Sequence, residues 1–128
     1  AGYLKDWAGP VEGERPAAYI IILGDTEIRK SFGCDHGIAA QSIMLGATEL
    51  DLGGCMLGAL DRDGVREALS IPDRYDILLA LALGKPKETV VLEDTGPDGD
   101  IRYYRDDAGV HHVPKRTLEE LILQKWGG

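Results

Sequence analysis

Apolar and small residues run almost unbroken from Asp35 to Gly58 (DHGIAAQSIMLGATELDLGGCMLG), longer than anywhere else in the chain. Ala39, Ile43, Ala47 and Leu50 recur at helical spacing, which predicts a long helix with a core-facing stripe. The other faces are also poor in charge, with Glu49 and Asp51 only near the end. Such a helix is expected to be buried on most sides, by its own core and by a second subunit. Gly37, Ala40, Gly46 and Ala47 would let another backbone come close. Gly53 is expected to stop the helix, because glycine reaches the left-handed conformation at little steric cost. The following GGCMLG run has little side-chain bulk and could set its N–H and C=O groups against a flat ligand. Taken alone, these residues read first as a core helix and its cap.

The remaining pattern divides into shorter pieces. Ala1 to Trp7 looks like the end of a helix, broken by Gly9-Pro10. Ala17 to Leu23 (AAYIIIL) is rich in β-branched and aromatic residues and reads as a buried strand. Thr26 to Gly33 is a polar connection. Asp61 is a good N-cap for a short helix, Arg62 to Leu69, which Ile71-Pro72 ends. Ile77 to Leu83 (ILLALAL) is a continuous apolar run, too short to cross a membrane, and fits a strand buried on both faces. Thr89–Glu93 and Ile101–Arg105 are predicted strands of a hairpin around Gly96-Pro97-Asp98-Gly99, with a second turn at Asp106-Asp107-Ala108-Gly109. Thr117 and Glu120 form a capping box for a last helix whose apolar face is Leu118, Leu121 and Ile122.

Composition narrows the class. The chain has 128 residues, enough for one domain with a real core. Lys plus Arg number 14 against 22 Asp plus Glu, a net charge of −8, which argues against nucleic acid or an anionic membrane as partner. Cys34 and Cys55 flank the long helix, too far apart for a disulfide, so free thiols and a cytoplasmic setting are expected. No stretch reaches the length of a membrane span and no signal peptide is visible. The chain opens with AGYLKDW rather than Met and reads as one that lacks its N-terminal portion.

Side chains with evident chemistry are few. No G-x-S-x-G elbow, P-loop or dinucleotide G-x-G-x-x-G is present. His111 and His112 are neighbours, so in a strand they face opposite ways and cannot share a metal. His36 and Cys34 lack an obvious third ligand. Cys55 has no basic neighbour to activate it and is expected to be a buried small thiol. Glu93, Asp94, Asp98 and Asp100 do not fit a calcium-loop spacing and read as solvated hairpin charges. Lys115-Arg116, placed just before a helix start in an acidic chain, would suit a phosphate; two plain surface cations fit as well.

The order and spacing of four pieces give the chain a family resemblance. They are ERPAAYIIILGD, DHGIAAQSIMLGATELDLGGCMLGALDRDGVREALSIP, ILLALALGKP and VPKRTLEELI. Together they resemble the C-terminal part of the FMN-dependent nitroreductase family, across essentially the whole chain. The resemblance implies an α+β fold: a single nitroreductase-like domain over residues 1–128, with a mixed β-sheet flanked by helices and a long buried central helix at a homodimer interface. It implies that Met56, Leu57 and Gly58, with Ala59, run along the flavin ring, and that Lys115 and Arg116 hold the FMN phosphate. It implies an oxidoreductase in which NAD(P)H passes a hydride to flavin N5, for a nitroaromatic or quinone acceptor. No catalytic side chain and no metal is expected, since the cofactor carries the chemistry. The family's Arg-rich and Asn-containing N-terminal segments are not found here. The competing expectation is a flavin-free dimeric relic or accessory domain with a structural role. Flavin fragmentation or dehalogenation on the same scaffold is a third.

Overall fold

The computed structural model describes residues 8–126; the helix end expected at Ala1–Trp7 lies outside them. The chain divides into two compact units, Glu12–Pro86 and a second that includes everything from Lys87 on.

The unit Glu12–Pro86 is built on three antiparallel strands, β1 (Ala18–Asp25), β2 (Gly53–Leu57) and β3 (Tyr75–Gly84), in the order β1-β3-β2. The uninterrupted apolar run makes β3 the central strand. Ile77, Ala80, Leu81 and Ala82 are buried, and Leu81 is wholly inaccessible. Two faces covered and two edges paired leave no polar position to tolerate, which is why the segment has none between Ile77 and Leu83. A bulge between Ile22 and Leu23 of β1 shifts the register toward its end. That end is tied to the start of β3: Arg74 forks onto Asp25, and Thr26 donates its hydroxyl and its N–H to the Arg74 carbonyl, at 2.7 and 3.0 Å.

Between β1 and β2 runs α1 (Asp35–Glu49), packed against β2 and β3. The expected stripe is rotated. The buried residues are Ala40 and Ala47, with Ile43 and Met44 partly covered between them, whereas Ala39 and Leu50 are exposed. A helix apolar nearly all round carries no polar face to fix its rotation, so the periodicity left the stripe free by one position. Within one chain the helix is far from fully buried: Ile38 and Leu45 are each 62 % exposed and Leu50 is 71 % exposed.

The helix also stops earlier than expected. Asp51, at φ 56°, takes the left-handed position, and Gly53 already belongs to β2. The Leu52 N–H bonds to the Ala47 carbonyl and the Asp51 N–H to Thr48, a Schellman motif completed by an aspartate, one of the residues that tolerate this conformation. The following α2 (Arg62–Leu69) has the predicted bounds, with the Asp61 carboxylate accepting the Gly64 N–H at 3.1 Å. It ends in the same motif, with Ser70 at φ 52° and the Ile71 N–H reaching the Arg66 carbonyl.

In the unit from Lys87, β4 (Val90–Asp94), β5 (Tyr104–Arg105) and β6 (His111–Lys115) form a mixed sheet in the order β4-β6-β5. β4 runs parallel to β6 and β5 antiparallel to it. The expected hairpin of Thr89–Glu93 with Ile101–Arg105 is therefore not made; the hairpin is β5–β6, closed at Asp106-Asp107-Ala108-Gly109. Local bonds explain the change: the Asp98 and Asp100 carboxylates accept the N–H groups of Asp100 and Arg102, diverting that backbone from a ladder. Asp106 accepts the N–H groups of Ala108 and Val110, which fixes the tighter turn. The last helix, α3 (Leu118–Leu121), is a single turn with the predicted Thr117–Glu120 capping box. The α+β class holds, with mixed pairing confined to the smaller sheet.

Gly54 is packed tightly between β3 and Met44 of α1. A Cβ there would lie 2.6 Å from the Ala82 carbonyl oxygen and 2.7 Å from Leu83 Cδ2. Gly54→Ala is expected to destabilise the fold by about 1–3 kcal/mol through overpacking. The check is the urea midpoint, which should fall at unchanged slope.

Candidate functional site

The residues expected to meet a ligand fall in both units, Met56, Leu57 and Gly58 in Glu12–Pro86 and Lys115 and Arg116 in the unit from Lys87.

Met56 and Leu57 close β2, opposite Leu81 and Ala80 of β3. Because β2 ends the order β1-β3-β2, its side away from β3 has no further strand among the described residues. Met56 is 39 % exposed. The missing bulk of the GGC run serves packing: a Cβ on Gly53 would meet Pro86 at 2.9 Å, and one on Gly54 would meet Ala82, Leu83 and Met44. Gly58 differs. A Cβ there would have nothing within 4 Å, so the backbone faces open space.

What holds Gly58 in place was not legible from the sequence. Arg62, the first residue of α2, donates from Nη2 to the Gly58 carbonyl at 3.2 Å and from Nε to the Ile77 carbonyl at 2.9 Å. One guanidinium thus fastens the segment after β2 to the central strand. Arg66, one turn on, donates to the carbonyls of Ile71, Pro72 and Tyr75 at 2.9–3.1 Å and fixes the connection into β3. The only signal in the sequence was an arginine at each of two adjacent turns of a short helix.

Lys115 ends β6 opposite Asp94, and its carbonyl accepts the Thr95 N–H at 3.0 Å. Arg116 precedes the Thr117 cap. Both residues are exposed, and among the described residues neither head group is paired.

Other sequence readings resolve as follows. Cys34 and Cys55 are free, as expected, but Cys55 is exposed rather than buried, because edge strand β2 leaves it uncovered. His111 and His112 do turn to different partners, Glu88 for the first and Glu93 with Asp106 for the second. Glu93 is accordingly no solvated hairpin charge. Asp100 pairs with Arg102, whose side-chain and backbone N–H groups push its pKa down to about 2. No group of three or more His, Cys, Asp or Glu residues is placed to hold a metal ion among the described residues. No described helix is long and apolar enough to cross a membrane.

An open cavity of about 280 Å³ lies elsewhere in the unit Glu12–Pro86, where the end of β1 meets the start of α1. Ile22, Ile28, Phe32 and Leu78 give it apolar walls, and an Arg29–Asp35 ion pair of 2.8 Å sits at its rim. His36 Nδ1 is buried there with no hydrogen-bond partner among the described residues. None of the expected ligand residues lines it.

The nitroreductase family model matches residues 12–85, more than half of the chain and nearly all of the unit that carries β2, Arg62 and β3. The chain belongs to the nitroreductase family. A solved structure, a nitroreductase family protein from Clostridium novyi NT, is similar at 32 % identity over 54 % of this chain, with a TM-score of 0.48. The chain covers 43 % of that protein. No curated protein matches.

The role given to Arg62 is checked by Arg62→Gln. Loss of two charge-assisted bonds to carbonyls at an exposed position is expected to cost about 1 kcal/mol of stability. Hydrogen exchange should quicken at Gly58 and its neighbours while the β1–β3 ladder stays protected.

Proposed function

We propose that the chain serves as an FMN-dependent NAD(P)H oxidoreductase of the nitroreductase type, acting on a nitroaromatic, quinone or similar electron-poor acceptor. Family membership over residues 12–85 carries this reading, and it supports oxidoreductase chemistry in general terms. Bound FMN would supply the two-electron chemistry.

The chain's own contribution is position. The free edge of β2 at Met56 and Leu57 offers backbone N–H and C=O groups to a flat ring's polar rim. Gly58 gives close access, and Arg62 keeps that backbone from drifting. Lys115 and Arg116 are proposed as the phosphate contacts on their chemistry alone: they lie outside the matched residues, and a guanidinium with a neighbouring ammonium suits a phosphate. A homodimer through α1 is part of the same proposal. Ile38, Leu45 and Leu50 leave an apolar surface along the helix that a second copy would cover.

A flavin-free dimer with a structural role keeps α1 but needs neither Gly58 nor the cation pair, so the two readings part under titration. FMN and riboflavin are added to wild type and to Arg116→Ala, with affinity read from flavin fluorescence. The proposal expects FMN to weaken about ten- to a hundredfold in the variant while riboflavin, lacking the phosphate, is unaffected. Equal loss for both would mean a fold defect, and no loss would return the pair to plain surface cations. Gly58→Val is expected to reduce binding of both flavins at unchanged stability, since the new side chain meets only the space the ring would take. Light scattering at micromolar concentration should give the mass of a dimer; a monodisperse monomer would contradict the interface.

A further inference from the structure

Both ring nitrogens of His112, on β6, face carboxylates. Nδ1 meets Glu93 Oε1 on β4, and Nε2 lies 3.2 Å from Asp106 Oδ2 in the turn between β5 and β6. Tyr104 of β5 stacks flat on the ring, with centroids 4.7 Å apart and planes within 4°, and its hydroxyl donates to Glu93 Oε2 at 3.2 Å. The imidazole is well covered, at 17 % exposure. A neutral imidazole has one N–H and one lone pair, so it can donate to only one of these carboxylates while its lone pair confronts the other. Only the imidazolium satisfies both.

We propose that His112 is a proton-operated clamp: protonated, it ties β4 to the β5–β6 turn through both ring nitrogens, and on losing the proton it releases one carboxylate and loosens the β4–β6 pairing. Glu93 from β4, Tyr104 from β5 and Asp106 from the turn are the ionisable groups that face the ring. On the opposite face of β6, His111, Glu88 and Arg105 form a separate set, with Arg105 Nη2 2.7 Å from Glu88 Oε2. There burial pushes the Glu88 carboxyl up, but His111 and Arg105 together outweigh it and hold it below its usual value.

The direction of the pH dependence follows from the two ends of the clamp. Hydrogen bonding first to Asp106 and then to Glu93 raises His112 above its ordinary 6.5. Its contribution is complete below 6.5 and is lost as pH rises through the raised value. Asp106, lowered from 3.8 chiefly by the Val110 N–H and then by His112, contributes above 3.8 and is lost as pH falls through its lowered value. The clamp is therefore closed in mildly acid solution and opens as pH rises through the raised His112 value.

The test uses the full chain without flavin and is independent of the function proposed above. NMR follows the His112 ring protons and amide exchange against pH, corrected for the intrinsic pH dependence of exchange. Two amides report the β4–β6 pairing, Thr95 (to the Lys115 carbonyl) and His111 (to Thr89); Ala17, bonded to Leu83, is the control. The expected result is a His112 midpoint above 6.5 and a loss of protection of about fivefold at Thr95 and His111 across it, with Ala17 unchanged. His112→Gln should abolish that step. Glu93→Gln keeps the histidine and should lower its midpoint, so the test stands even if the first variant does not fold. A midpoint at or below 6.5, protection that ignores the midpoint, or an undiminished step in His112→Gln would overturn the clamp.

Discussion

The burial of β3 is the constraint on which the unit Glu12–Pro86 depends. Its apolar run is paired on both edges, and Leu81 is inaccessible to solvent. Fully burying a leucine side chain such as Leu81 is worth about 1.5–3 kcal/mol, and Ile77, Ala80 and Ala82 are buried beside it. The proposed ring contacts, Met56 to Gly58, are positioned from this strand. Register against β3 sets Met56 opposite Leu81 and Leu57 opposite Ala80, so Gly58 is the first residue beyond the ladder. Arg62 then anchors Gly58 to a carbonyl of the same strand, at Ile77. The candidate ring contact is thus an edge supported from behind by the most buried strand of the unit.

Two helix ends show how this unit economises on glycine. Both α1 and α2 close in Schellman motifs, with Asp51 and Ser70 in left-handed conformations. The glycines next to the first of these, Gly53 and Gly54, are thereby kept for close packing against Pro86, Met44 and Leu83. The absence of side chains there allows the close packing. Gly58 is the one glycine of the run at which an added Cβ would meet nothing within 4 Å among the described residues.

What the sequence made legible was local. The unbroken run of β3, the Asp61 cap and bounds of α2, and the Thr117–Glu120 box all rest on neighbouring residues, and each is found in place. The stop of α1 was read onto Gly53 because the residue that takes the left-handed turn, Asp51, is not glycine. The rotation of α1 was missed because its faces differ too little in polarity to choose between Ala39 and Ala40. The strand order of the smaller sheet, and with it the His112 cluster, depends on which distant strands pair, and turn signals do not carry that information. Glu93 and His112 meet only because β4 lies parallel beside β6. Of the candidate site, Met56–Gly58 came from the family resemblance and stands as a proposal, whereas the Arg62 anchor had no signal of its own.

The central claim is that flavin lies along the free edge of β2. The most direct measurement is a backbone amide chemical-shift map of the isotope-labelled chain during addition of FMN, which registers weak binding as well as strong. The account predicts shifts concentrated at Met56, Leu57, Gly58 and Ala59, a second group at Lys115 and Arg116 that riboflavin does not reproduce, and a silent β1–β3 ladder. Shifts gathered instead around Ile22, Phe32 and His36, or none at any FMN concentration, would contradict it.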